Sequence, residues 1–184
     1  MLDWCHWTEP GGSIFRLTAG DQGLRSIDFR PGPAPESAPN ENHAILAETA
    51  RQLAAYFAGD LREFSLPLDL QGTEFQLRVW HALLRIPYGA TVSYRNIAVS
   101  IGCSNAVRAV GAANGANPIP IVVPCHRVIG SSGKLVGYGG GLPLKKRLLE
   151  LERAAVTPQG QLFAPEIQSL TAVKKRVRSA SQLP

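Results

Sequence analysis

The stretch "NAVRAVGAANGANPIPIVVPCHRVIG", residues 105–130, combines a short helical pattern, an apolar run between prolines and a cysteine beside a histidine. The helical pattern ends at Asn117, because a residue that precedes proline avoids the helical region. Residues 121–123 are all β-branched and predict a short buried strand. Pro124 cannot donate a hydrogen bond to a sheet, so it ends that strand and leaves Cys125 at the strand's exit.

Cys125 and His126 are a candidate nucleophile and base, although neighbours along a strand or a helix point in different directions. A free cysteine is often only a small buried apolar residue. Here the adjacent histidine and the basic surroundings favour a lowered thiol pKa and a reactive thiolate. The base needs an orienting partner, and the last helical pattern, residues 143–153, offers two carboxylates. Glu150 follows basic residues by one turn and predicts a surface pair, whereas Glu152 leans toward the apolar face and is the predicted partner of His126.

Two short helices joined by a Gly-containing turn predict a helix-turn-helix in residues 93–115. Ser93 precedes the first helix, Gly102 ends it, and Ser104 is the predicted N-cap of the second. The second helix is predicted to bury one apolar face, made of Ala106, Ala109, Val110 and Ala113. Its other side is nearly smooth and carries one long cation among small residues: Arg108, Gly111, Ala112 and Gly115. Such a surface favours approach to a DNA backbone or minor groove over base readout, although the glycines also fit tight packing between helices.

The first part of the chain predicts strands and one helix. Residues 12–20 and 23–30 predict two strands joined by a hairpin turn. A helical pattern that starts at residue 43 ends at Gly59. Residues 61–70 predict an edge strand, and an internal proline limits its pairing.

The next helix opens with a capping-box pattern at Thr73 and Gln76, which marks a boundary between units. The predicted fold class is α+β: a small N-terminal sheet-plus-helix domain, then a mainly helical domain with the helix-turn-helix. The predicted units are an N-terminal scaffold domain, a DNA-binding and active-site domain, and a basic, disordered tail: residues 1–71, 72–155 and 156–184.

The composition of the chain predicts a soluble globular protein. The chain has 184 residues, of which 45% are hydrophobic and 18% charged, and no apolar run is long enough to span a bilayer. No signal peptide is expected, because the N-terminus "MLDWCHWTEP" lacks a basic segment followed by an apolar one. No disulfide framework is expected either, because the three cysteines are odd in number and far apart, which favours the cytoplasm. Cys5 and His6 alone make a poor metal site, so no metal is expected.

The charge is divided unevenly along the chain. Residues 1–71 hold 5 Lys and Arg against 10 Asp and Glu, whereas residues 72–155 hold 10 against 3. A basic middle segment beside an acidic one favours a polyanionic partner, with an ordinary solvated basic surface as the alternative.

The motifs "TEFQLRVWHALLRIPYGATVSY", "RAVGAANGANPIPIVVPCHR", "GYGGG" and "KKRLLELE" occur in this order and together cover about residues 72–153. In this combination the chain resembles the O6-alkylguanine-DNA alkyltransferases. The resemblance implies repair of double-stranded DNA by irreversible, stoichiometric transfer of an alkyl group from O6-alkylguanine, or O4-alkylthymine, to Cys125 after nucleotide flipping. It implies no cofactor and a monomer that can cluster on DNA.

The resemblance also implies a role for each matched residue. His126 acts as the base through a bound water, and Glu152 holds the imidazole in the right tautomer. Tyr94 donates a proton toward guanine N3 and helps to rotate the nucleotide, and Arg108 fills the gap in the base stack. The residues expected at the DNA are Tyr94, Arg108, Ala109, Gly111, Ala112 and Gly115. The residues expected around the substrate are Asn117, Val128 through its carbonyl, Ser131, Tyr138 and Gly139.

Two other functions stay open on the residues alone. A non-catalytic binder of damaged DNA shares the flipping residues, but a reactive cysteine argues against it. A cysteine hydrolase would use Cys125, His126 and Glu152 and would leave the smooth basic helix without a role. The small Gly139 leaves room for bulkier alkyl groups, and the basic residues 173–178 are expected to add nonspecific attraction to phosphates.

Overall fold

The computed structural model describes residues 1–152. The chain opens with a three-stranded antiparallel sheet in the order β1-β2-β3 and continues with a helix. Their bounds are β1 Asp3–Thr8, β2 Ile14–Gly20, β3 Gly23–Asp28 and α1 Ala44–Ala58. The helix ends where Gly59 takes a left-handed conformation, with φ of 85°, which glycine adopts without steric cost. The predicted hairpin and helix are confirmed.

Two features of this sheet differ from expectation. The first strand, β1, was not predicted, and it pairs with β2 along its whole length. The predicted edge strand over residues 61–70 is wrong, because Leu68 forms only an isolated bridge to Leu24. The contact cannot extend into a ladder, since Pro67 has no N–H to donate.

The second half of the chain is mainly helical, which confirms the α+β class. Its helices are α2 Glu74–Leu83, α3 Tyr94–Ser100, α4 Val107–Gly115 and α5 Gly141–Leu151. Two short strands, β4 Val92–Ser93 and β5 Val128–Ile129, pair in parallel. The capping box of Thr73 and Gln76 is confirmed, and Ser93 forms a second one with Asn96 at the start of α3.

The helix pair α3 and α4 is present, and its use as a DNA-binding helix-turn-helix stays a prediction. Ser104 is not the N-cap of α4, because the helix begins at Val107 after Ala106, which makes no side-chain cap. Ala109 is exposed and does not belong to the core face, whereas Val110 is fully buried.

Residues 121–123 are buried but do not form the predicted strand. Ile121 has a φ of 75°, a left-handed conformation that is rare for a β-branched residue and incompatible with an extended strand. The segment is a tight turn closed by a bridge between Pro120 and Val123. Cys125 therefore precedes a strand, β5, and does not leave one.

The two halves share one apolar core. The indole N–H of Trp80 donates to the carbonyl of Ala113 at 2.8 Å, and the Ile27 N–H donates to the Pro118 carbonyl at 2.9 Å. The second bond ties the end of β3 to the loop before Cys125. The boundary at residue 71 stays a prediction, and the predicted tail over residues 156–184 lies outside the described residues. No helix in residues 1–152 has the length and apolar character needed to cross a membrane.

Candidate active site

Cys125 lies in a single 3-10 turn, Cys125–Arg127, between Pro124 and β5. It is buried, with 4% of its surface exposed. The turn explains how adjacent residues can serve one site, because neither the alternation of a strand nor the rotation of an α-helix applies to it. His126 and Arg127 are buried in the same turn.

Glu152, the residue that ends α5, is the centre of a buried hydrogen-bond network. Its Oε1 lies 2.9 Å from His126 Nε2, which is the predicted contact. Arg127 binds both carboxylate oxygens, with Nε to Oε2 at 2.9 Å and Nη2 to Oε1 at 2.8 Å. The Tyr56 hydroxyl donates to Oε1 at 2.7 Å, and the Gly89 N–H donates to Oε2 at 3.2 Å. The carboxylate is therefore saturated with donors.

Gly89 is required beside this network for two reasons. Its φ is 77°, a left-handed conformation, and a Cβ there would lie 2.8 Å from the carbonyl oxygen of Glu152. A side chain at this position would thus displace the residue that ends α5. Glu150, by contrast, makes the predicted surface pair, with 3.6 Å between its carboxylate and Lys146 Nζ.

The network keeps His126 neutral. Burial alone would raise the pKa of Glu152, but its bonds to His126 and Arg127 hold that pKa well below the usual range. Burial lowers the pKa of His126, and the charge of Arg127 lowers it further against the opposing effect of Glu152. Because Arg127 already balances the carboxylate, His126 donates Nε2–H to Glu152 as a neutral ring. Its Nδ1 is buried and has no hydrogen-bond partner within residues 1–152, so it presents a basic lone pair.

The thiol of Cys125 is protonated at rest. Burial raises its pKa to about 11, although a hydrogen bond from Asn117 and the charge of Lys145 act in the opposite direction. The expectation of a depressed thiol pKa is therefore wrong, because loss of hydration outweighs the nearby positive charge. A base is needed to produce the thiolate.

A cavity of about 510 Å³ opens onto Cys125. Of the predicted site residues, six line it together with the cysteine: Tyr94, Gly111, Gly115, Asn117, Tyr138 and Gly139. Burial raises the pKa of Tyr94, and a thiolate at Cys125 raises it further, so the Tyr94 hydroxyl keeps its proton. Asn117 ties α4 to the active-site turn, since its amide donates to the Val123 carbonyl at 2.8 Å.

The remaining predicted residues lie elsewhere. Arg108, Ala109 and Ala112 are exposed on α4 and do not line the cavity. Val128 is buried in β5, and its carbonyl accepts a hydrogen bond from Lys145 at 2.7 Å. Ser131 is exposed in the following loop and is not part of the cavity wall.

Several residues of the site were not found from the sequence. Arg127 had a signal, since a charged residue inside the apolar run "VVPCHRVI" needs a buried partner. Lys145 is fully buried and donates from Nζ to the carbonyls of Val128 and Val136, at 2.7 and 2.9 Å. Tyr56 had no local signal. The end of β3 also forms one wall of the cavity, through residues 27–30.

Nothing in the described part of the chain suggests a metal centre. No group of three or more His, Cys, Asp or Glu side chains within residues 1–152 is arranged to hold an ion. Cys5 is buried in the sheet, and burial raises its pKa. The three cysteines, Cys5, Cys103 and Cys125, are all free thiols.

Two family models match consecutive parts of the chain. Residues 74–154 match the DNA-binding domain of 6-O-methylguanine DNA methyltransferase, and residues 14–70 match the ribonuclease-like domain of the same family. A curated methylated-DNA–protein-cysteine methyltransferase from Mycolicibacterium paratuberculosis is 59% identical over 130 residues, which is 71% of this chain and 78% of that protein. One from Methanosarcina barkeri is 52% identical over 146 residues, which is 78% of this chain and 92% of that protein.

Solved structures give the same result for the fold. The O6-methylguanine methyltransferase of Mycobacterium tuberculosis superposes with a TM-score of 0.75 at 47% identity, over 83% of this chain and 93% of that one. A structure of Mycobacterium tuberculosis OGT in complex with DNA gives 0.74 at 50% identity, over 82% and 92% of the two chains.

Proposed function

The chain belongs to the family of methylated-DNA–protein-cysteine methyltransferases, and we propose that Cys125 is the residue that accepts the alkyl group from O6-alkylguanine. This family reverses DNA alkylation directly, by moving the alkyl group from DNA to a protein cysteine. The observation that carries the assignment is the cavity that ends on Cys125, next to a neutral His126 whose Nδ1 has no hydrogen-bond partner among residues 1–152. Cys5 and Cys103 do not line that cavity.

The first step of the proposed reaction is extrusion of the damaged nucleotide. Guanine O6 is paired inside a duplex, so a thiol at the end of a cavity cannot reach its alkyl carbon unless the base leaves the stack. Extrusion costs a few kcal/mol, and less for a poorly paired base. Arg108 is exposed on α4 near the start of the helix, and we assign it to the gap left in the stack.

The second step is the transfer itself. His126 Nδ1 takes the thiol proton through a water, and the network of Glu152 and Arg127 holds the ring for that role. The Cys125 sulfur then attacks the alkyl carbon in line, so that an S–C bond forms while the C–O6 bond breaks. The electron pair of the broken C–O6 bond stays on guanine, and Tyr94 supplies a proton at N3. The proton held by His126 then returns to the Tyr94 phenolate through water, and exchange with solvent moves the N3 proton to N1. Restored guanine and S-alkylcysteine are the products, and a thioether resists hydrolysis, so each molecule acts once.

The proposed chemistry also bears on the compartment, the partner and a second substrate. Three free cysteines fit a reducing compartment such as the cytoplasm. We assign double-stranded DNA as the partner of a monomer that can cluster along it, and O4-alkylthymine as a second substrate. The exposed outer face of α4, with Arg108, Ala109 and Ala112, is the proposed contact with the DNA backbone.

The test is incubation with duplex DNA that carries isotopically labelled O6-methylguanine, followed by mass spectrometry of peptides. We expect one equivalent of label, all on Cys125, and none with Cys125→Ser. Cys103→Ser is the matched control and should behave as the wild type. Label on Cys5 or Cys103 instead would overturn the site, and repeated turnover with released label would overturn the single-use mechanism.

The same experiment separates the other two functions. A non-catalytic binder would leave the DNA alkylated and dissociate from it unchanged. A cysteine hydrolase would turn over a thioester or peptide without DNA. The raised pKa of the Cys125 thiol disfavours a hydrolase, which needs a thiolate ready for every cycle.

A further inference from the structure

Phe29, the residue that directly follows β3, joins the N-terminal sheet to the wall of the active-site cavity. Its ring packs edge-on against Phe15, with 4.8 Å between the centroids, and Phe15 is only 1% exposed in the core. The strand itself is tied to the loop before Cys125 by the bond from the Ile27 N–H to the Pro118 carbonyl. Phe29 is therefore held from the sheet side, and it cannot move away from the cavity without loss of close packing.

Phe29 also supports the glycine-rich loop of the cavity, residues 137–141. Its ring centroid lies 5.6 Å from that of Tyr138, which lines the cavity as well. A Cβ on Gly140 would lie 2.9 Å from Phe29 Cδ2, so the backbone of the loop rests directly on the Phe29 ring, an approach that glycine permits. The position of Phe29 thus determines how far the Tyr138 wall can move back from Cys125.

The geometry of the proposed transfer determines where a large alkyl group would lie. The Cys125 sulfur attacks in line with the bond from the alkyl carbon to O6, so any further carbon atoms extend sideways from that line. A methyl group needs no space there, whereas a benzyl group needs room for a ring. O6 also lies across the six-membered ring from N3, where Tyr94 is assigned. The alkyl group therefore points away from Tyr94 and toward the part of the cavity that β3 and the glycine-rich loop provide.

We propose that Phe29 is a specificity residue, which limits the size of the O6-alkyl group that the cavity accepts by fixing the wall that it forms with Tyr138. This inference rests on the proposed function of the cavity. A closely packed wall yields to an extra group only at a cost in free energy, so a bulky group is held out of line with the thiol and reacts slowly. An added Cβ at Gly139 would meet no atom of residues 1–152 within 4 Å. The loop has space there, and the restriction comes from the side of Phe29.

The experiment compares single-turnover transfer rates from duplexes that contain O6-methylguanine or O6-benzylguanine. In Phe29→Ala, we expect the ratio of the benzyl rate to the methyl rate to rise by about tenfold or more, the scale on which an apolar pocket separates groups of different size. Phe29→Trp should lower that ratio, because a larger ring fills more of the cavity. Phe75→Ala is the matched control, since this half-buried phenylalanine of α2 packs on the same core but does not line the cavity. Its ratio should equal that of the wild type.

Thermal unfolding checks that each variant folds, and Phe29→Leu repeats the test with a smaller change if the alanine variant does not fold. An unchanged ratio in Phe29→Ala, with both rates lowered together, would assign Phe29 to the stability of the loop alone and overturn the inference. A lower ratio in that variant would mean that the ring attracts bulky groups, and it would overturn the inference as well. Neither result touches the proposed function, which fails only if the wild type transfers no methyl group to Cys125.

Discussion

Tyr56 lies in the N-terminal half of the chain, yet its hydroxyl donates to Glu152 Oε1 at 2.7 Å across 96 positions of sequence. The side chain is fully buried, and its ring packs against three aromatic rings, those of Phe57, Phe64 and Tyr88. Tyr56→Phe keeps the ring in this packing and removes a single oxygen. It therefore isolates the contribution of the hydroxyl to the active site.

The expected loss of stability follows from the type of bond. A hydrogen bond to a charged group contributes about 1.5–3 kcal/mol. Arg127, His126 and Gly89 still bind the carboxylate in the variant, so no orphaned charge adds to the cost. For a chain of this size, each kcal/mol corresponds to roughly 2–4 °C, so we expect Tm to fall by about 3–12 °C.

The variant should also shift the pH dependence of transfer. The Tyr56 hydroxyl stabilises the Glu152 carboxylate, and without it the carboxylate attracts a proton on His126 more strongly. The pKa of His126 then rises, so less of the neutral base remains at acidic pH. We expect the acid limb of the single-turnover rate on O6-methylguanine DNA to move to higher pH, with little change above it.

The assay pairs thermal unfolding with rates measured from pH 5 to 9. Tyr88→Phe is the matched control, because the Tyr88 hydroxyl donates to a neutral acceptor, the Leu151 carbonyl, at 3.2 Å. The Tm of the control should fall less than that of Tyr56→Phe, since the lost hydrogen bond has a neutral acceptor. The acid limb of its single-turnover rate against pH should not move. If Tyr56→Phe is no less stable than the control and its pH profile matches the wild type, Tyr56 does not act on Glu152 as argued.

Three further perturbations probe the site and the helix. Arg127→Met removes the charge that balances buried Glu152 and should destabilise the fold by about 3–5 kcal/mol in urea unfolding; a loss under 1 kcal/mol would refute that balance. The Cys125 thiol has a pKa of about 11 in the folded protein, so it keeps a proton that the unfolded chain loses above pH 9. Between pH 8 and pH 10 the free energy of unfolding should therefore fall by about 1 kcal/mol more in the wild type than in Cys125→Ala. Equal decreases in the two proteins would refute the raised pKa. Arg108→Ala should slow transfer from duplex DNA by about tenfold or more but leave transfer from a free alkylated base unchanged, and equal slowing on both would contradict its place in the stack.

Features set by neighbouring residues could be predicted from the sequence. The capping box at Thr73, the helix end at Gly59 and the hairpin after β2 each depend on a few consecutive residues. The contact between His126 and Glu152 was also predicted, because only one of two carboxylates on α5 leans toward the apolar side. In each case the pattern itself carries the physical cause.

Features set by distant contacts could not be predicted. Nothing near Tyr56 indicates that its hydroxyl meets a carboxylate far along the chain. Residues 121–123 have the composition of a strand, but the prolines around them and the left-handed Ile121 fold them into a turn. The thiol pKa of Cys125 was expected to fall because charge is visible in the sequence, whereas burial, which raises that pKa, becomes visible only in the fold.

The raised thiol pKa suits the proposed role of Cys125 as an acceptor that reacts once. With a pKa of about 11, only about one thiol in ten thousand is ionised at pH 7. Because the thiolate is the species that oxidants and stray electrophiles attack, a resting thiol protects a residue that cannot be regenerated. An enzyme with many turnovers benefits from a thiolate that is present at all times. A single-use acceptor is better protected when the thiolate forms only after the alkylated nucleobase has entered the cavity. His126 meets this need, since the Glu152–Arg127 pair holds it neutral and its Nδ1 has no hydrogen-bond partner in the described part of the chain. Through its bond to Glu152, Tyr56 makes the neutral state of His126 depend on the N-terminal half of the chain. The sequence alone predicted only a scaffold for that half.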